Sequence, residues 1–97
     1  MHMRTSCGKD LEVRAERNRK HPTDWDLMVA RPGEPSGFAC GTLRVFDGKT
    51  ALRYAVDSAA VAAFFKTELH PDLLRSSVRR AGRLVADFLA VEFVMET

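Results

Sequence analysis

From Leu11 the chain alternates, with Leu11, Val13 and Ala15 apolar and Glu12, Arg14 and Glu16 polar, which is the period of a half-buried strand. The polar run Asn18, Arg19, Lys20, His21 and Pro22 ends it, because proline cannot donate to a strand ladder and asparagine suits turn geometry. Alternation resumes from Trp25 to Arg31, with Trp25, Leu27 and Val29 on one face. Pro32, Gly33, Pro35 and Gly37 then mark a loop. Two further extended runs flank Asp47-Gly48, a pair suited to the positive φ angles of a type I′ hairpin turn. With those two as the loop, Phe46 faces Lys49, Val45 faces Thr50, Leu43 faces Leu52 and Gly41 faces Tyr54. That register puts Leu43, Val45, Leu52 and Tyr54 on one face and Arg44, Phe46, Lys49 and Arg53 on the other.

Beyond the hairpin the period changes to that of a helix. Asp57-Ser58 supplies a cap, and Val61, Phe64, Phe65, Glu68 and Leu69 follow at i, i+3, i+4 spacing, so an amphipathic helix is expected to stop near His70. Pro71 suits the first position of a second helix, with Asp72 in its first turn and Leu74, Val78, Ala81 and Val85 on its apolar side. Two endings stay open. Gly82 either terminates this helix, leaving residues 84–95 as a strand, or lies within a helix that continues to about Phe93. The run from Leu84 to Met95 is apolar almost throughout and has no decisive period. The expected architecture is α+β: an antiparallel four-stranded meander with two helices packed on one face, closed by a long helix or by a fifth, C-terminal strand.

At 97 residues the chain has room for one domain, with a core that needs neither metal nor disulfide. Residues 1–9 are expected to be disordered, and His2-Met3 reads as a cloning remnant before a start at Met3. No apolar stretch near the beginning is long enough for a secretory signal, so a cytoplasmic location is expected, with Cys7 and Cys40 reduced. Cys40 reads as a buried strand residue and Cys7 as a mobile one.

Catalytic signatures are hard to find. Gly48-Lys49-Thr50 matches the end of a phosphate-binding loop, but the glycine required five positions earlier is Leu43 and the segment leads into a strand. No Gly-x-Ser-x-Gly elbow surrounds any serine, and His21 and His70 both precede prolines, which makes them turn and cap residues. Asp24 and Asp26 share the polar side of a strand, where exposed carboxylates both stay ionised. No enzyme activity, cofactor or metal is expected.

Charge distribution is more informative than the net charge of +2. Arg75, Arg79 and Arg83 recur at i, i+4 and i+8 with Arg80 alongside, which gathers four guanidinium groups on one side of the second helix. Asp72 is placed to offset Arg75, and Asp87 to offset Arg83, while Arg79 and Arg80 have no local partner. Arg17, Arg19 and Lys20 of the first loop are expected to join them. The pattern points to a small non-enzymatic binding or regulatory module, of inhibitor, immunity or adaptor type, that meets an anionic protein surface. Nucleic-acid phosphates are the alternative partner; a membrane is not expected. The apolar C-terminal run predicts a homodimer with Phe88, Val91 and Met95 at its interface.

Overall fold

A computed structural model describes residues 3–7, 10–55 and 57–95. The four expected strands are β2 (Leu11–Arg17), β3 (Trp25–Ala30), β4 (Phe38–Phe46) and β5 (Lys49–Tyr54), and they form the antiparallel meander. The β4–β5 register is the one that Asp47-Gly48 predicts, and both loop residues have positive φ. Leu27, Val29, Leu43 and Leu52 turn inward and are fully buried. A bulge where Leu27 and Met28 face β4 leaves Cys40 between their partners, with its thiol donating to the Leu27 carbonyl at 3.1 Å.

The sheet has six strands rather than four or five. Part of the segment expected to be disordered forms β1 (Met3–Cys7), antiparallel to β2. Residues 1–2, where a cloning remnant was read, and residues 8–9 lie outside the described residues. The alternation of β1 escapes a hydrophobicity reading because one inward residue is polar: Thr5 is buried and satisfies its hydroxyl on the Ser77 carbonyl at 3.0 Å. Cys7 is fully buried, not mobile.

The first helix is shorter than its spacing suggests. α1 (Ser58–Phe65) starts with the Asp57 side chain accepting from the Ala59 N–H and ends where Lys66 enters the left-handed region. Glu68 and Leu69 therefore lie beyond it. Phe64, expected on its core face, is 61% exposed. His70 caps the second helix, its Nδ1 accepting from the Asp72 N–H.

α2 (Pro71–Leu89) passes through Gly82, and β6 (Glu92–Met95) follows, so each of the two anticipated endings holds in part. Ala90 stops the helix in left-handed geometry, with the Val91 N–H donating to the Ala86 carbonyl at 3.0 Å. The strand then pairs with β5 in parallel, which the two-helix crossover permits. Gly82 is a packing residue: a Cβ there would lie 2.9 Å from the ring of Phe93. Leu74, Val78, Ala81 and Val85 form the buried side of α2, as its period predicts. Val61 and Phe65 of α1 join the same core.

Two substitutions test this account by denaturant unfolding. Gly82→Val is expected to cost about 1–3 kcal/mol by overpacking against Phe93. The cost should shrink in a Phe93→Ala background, and equal costs in both backgrounds would place the strain elsewhere. Ala90→Gly is expected to stabilise the fold by about 1 kcal/mol, because it removes the penalty of a Cβ in left-handed geometry.

Candidate functional site

α2 presents its arginines along a rigid surface. Arg75 lies over the Tyr54 ring of β5 and Arg83 over the Phe93 ring of β6, each with its guanidinium carbon 5.3 Å from the ring centroid. These stackings replace the anticipated ion pairs, since among the described residues neither Asp72 nor Asp87 bridges to an arginine. Asp72 instead lies 3.9 Å from His70. A guanidinium is weakly hydrated and planar, so an adjacent aromatic face competes well with an exposed carboxylate. Arg79 and Arg80 are exposed, and no carboxylate among the described residues pairs with them.

The first loop carries the other basic residues of the expected surface. Arg17 lies 5.3 Å over the Trp25 ring at the start of β3, and Trp25 itself is buried as expected. Asn18 Oδ1 accepts from the Lys20 and His21 N–H groups at 2.9 Å, while its Nδ2 donates to the Asp26 carboxylate at 3.2 Å. Glu16, Arg17, Asn18, Arg19, Lys20 and Asp26 line an open cleft of about 440 Å³. Arg75 and Arg83 are thus held against β5 and β6, with Arg79 and Arg80 exposed between them along the helix. Arg17, stacked on Trp25 of β3, lines this cleft together with Arg19 and Lys20.

Of the three anticipated interface residues, Phe88 is 49% exposed, Val91 is half-buried and Met95 packs partly against the core. Leu84 is exposed one turn before Phe88, and Leu73 is exposed near the start of α2. Helical spacing identifies them: Leu73, Arg80, Leu84 and Phe88 fall within one outward sector once the side held by Leu74, Val78 and Val85 is known. On the opposite surface of the sheet, Phe46 is 42% exposed between Arg44 and Lys49, whose charged atoms lie 5.8 and 5.6 Å from its ring centroid.

A missed feature is aromatic. Phe64 meets Phe38 and Phe65 edge-on, with centroid separations of 5.3 and 4.9 Å. Arg31 donates to the Phe65 carbonyl at 2.6 Å.

Both cysteines and Ser77 are enclosed. Burial pushes the Cys40 thiol up to about 12, with nearby Cys7 adding to the shift, and burial likewise raises Cys7. The Ser77 hydroxyl has the carbonyls of Leu73 and Ser6 within reach of its single proton, at 2.8 and 3.1 Å. Among the described residues, no group of three His, Cys, Asp or Glu side chains is arranged to hold a metal ion. None of the described helices is long and apolar enough to cross a membrane. Comparison with known proteins finds no matching family, curated protein or solved structure.

Cys40 gives the fold a pH signature. Between the ordinary thiol value of 9.0 and about 12, the unfolded chain releases this proton while the folded chain keeps it. Its contribution to stability is therefore full below pH 9.0 and is lost as pH rises through that window. At about pH 8 neither cysteine should react with a disulfide reagent faster than the chain opens, and both should react in denaturant. Rapid labelling of the native protein would contradict this burial.

Proposed function

We propose that the chain is a non-enzymatic binding module that docks an acidic protein surface on the outward face of α2. The observation that carries this reading is the state of its arginines. Arg79 and Arg80 lack counter-charges among the described residues, and they lie between Arg75 and Arg83, which are held on aromatic rings. Arg75 and Arg83, already restrained, lose less freedom on binding, so more of each charge-assisted hydrogen bond they make appears as affinity.

Exposed Leu73, Leu84 and Phe88 favour a protein over a nucleic acid. A mixed arginine and apolar surface suits an interface with a desolvated centre, whereas phosphates find no partner in a leucine. Inhibitors, immunity proteins and adaptors work in this way, through occupancy without chemistry. A homodimer through Phe88 would occupy the same face, which makes assembly state part of the test.

Affinity capture from the native host should yield a specific acidic partner. Arg79→Glu/Arg80→Glu and Leu84→Asp are each expected to weaken it by more than about tenfold, while Arg19→Glu leaves it unchanged. Removing neighbouring positive charges should leave stability equal or a few tenths of a kcal/mol higher. A partner retained by both face variants would overturn the reading, as would turnover in a broad hydrolase screen. Captured nucleic acid whose affinity falls with salt at a slope of about −0.9 per neutralised phosphate would favour the alternative. Light scattering at about 100 μM on native and Phe88→Asp protein separates a second copy from a foreign partner.

A further inference from the structure

We propose that the cleft between the β3–β4 loop and the end of α1 binds a free α-amino acid with an apolar side chain. Arg31, Glu34, Ser36, Phe64 and Phe65 line a space of about 210 Å³. Sites for drug-sized ligands usually hold ~300–1,000 Å³, so the size suits a ligand no larger than one residue.

The walls are fixed from several directions. From β2, Arg14 reaches the carbonyls of Glu34 and Pro35 at 2.7 and 3.4 Å, and the Glu34 N–H donates to the Arg31 carbonyl at 3.0 Å. The Arg31 guanidinium is tied to the Phe65 carbonyl and lies 5.9 Å over the Phe65 ring. Edge contacts with Phe38 and Phe65 hold Phe64, the most exposed large hydrophobic side chain among the described residues. A rigid apolar ring facing water offers burial at little ordering cost.

The charges specify the ligand. Arg31 and Glu34 both line the cleft, yet they form no ion pair with each other among the described residues. Arg31 uses one of its five N–H donors on Phe65, and the rest of the fork matches a carboxylate. Glu34 matches an ammonium group, Ser36 supplies a hydroxyl, and Phe64 takes an apolar side chain. A simple carboxylic acid would leave Glu34 without a partner, and a simple amine would leave Arg31 without one. A zwitterion with an apolar side chain meets all three requirements. The cleft shares no residue with the face of α2, so this site stands independently of the docking function.

A ¹H–¹⁵N titration with L-phenylalanine or L-leucine to about 20 mM tests the site. Saturable shifts are expected in the loop 31–36 and at the end of α1, with a dissociation constant on the order of 1 mM. N-acetyl-L-phenylalanine, which lacks the ammonium, and L-phenylalaninamide, which lacks the carboxylate, should each bind at least about tenfold more weakly. Glu34→Gln leaves the backbone contacts of the loop in place, and it should weaken L-phenylalanine by a similar factor without weakening the acetylated ligand further. Phe64→Ala should weaken both ligands, while Arg79→Glu/Arg80→Glu should change neither. The native spectrum outside the cleft reports that each variant is folded. Absence of saturable shifts with the native protein, or equal affinity for free and acetylated phenylalanine, would overturn the proposal.

Discussion

One helix touches both edges of the sheet, and much of the structure follows from that. α2 packs against β1 and β2 on one side and β5 and β6 on the other, although β1 and β6 stand at opposite ends of the strand order. A flat six-stranded sheet would hold its edges about 24 Å apart, at ~4.8 Å per strand, whereas a helix with side chains is only ~10–12 Å wide. The sheet must therefore curl around α2. Close approach on the β6 side depends on Gly82, since a side chain there would meet the Phe93 ring. The glycine gives up roughly 1 kcal/mol of helix propensity and lets the last strand lie against the helix.

Cations over aromatic rings bind the rim of this curled sheet. They cap Trp25, Phe46, Tyr54 and Phe93 of the strands, and Phe65 of α1 beside them. Each is worth only about 0.5–1 kcal/mol when exposed, comparable to a surface ion pair. Their larger consequence is positional. Arginine stems cover aromatic edges that would otherwise meet water, and the charged heads are fixed in place. Against this background Arg79 and Arg80 differ from their neighbours in chemistry, because no ring restrains them.

The meander was legible in the sequence because period and turn chemistry agreed. Asp47-Gly48 fixed a register, and that register fixed which faces of β4 and β5 were buried. Of the two outer strands, β1 was not legible and β6 was legible only as one of two possible endings. β1 buries a threonine whose hydrogen bond goes to α2, 72 residues away, and no local pattern reveals such a partner. β6 lay within a run that is apolar almost throughout, where hydrophobic periodicity decides little. Helix ends misled for a related reason. Lys66 and Ala90 adopt the left-handed geometry usually marked by glycine, while the glycine that resembled a stop serves packing in mid-helix. The arginine row was legible from spacing alone, but its stacking partners became visible only with the β5–β6 pairing. Phe64 was misread because α1 buries Val61 and Phe65, at i and i+4, and leaves Phe64 at the edge of that stripe, against the rings of Phe38 and Phe65.

The two outward features place different demands on the fold. On α2, guanidinium position follows from helix geometry and from two rings, so the surface is set by the same packing that holds the core. The cleft at Arg31 instead depends on a loop rich in proline and glycine, whose backbone carbonyls are held by Arg14 from the outer face of the sheet. Proline lowers the freedom of such a loop before it folds, and the arginine supplies donors that no strand partner provides. Arg14 thus links β2 to the loop as Arg31 links that loop to α1. A chain with a small core gains order at its periphery through these long side chains, each bridging segments that the sheet alone leaves apart.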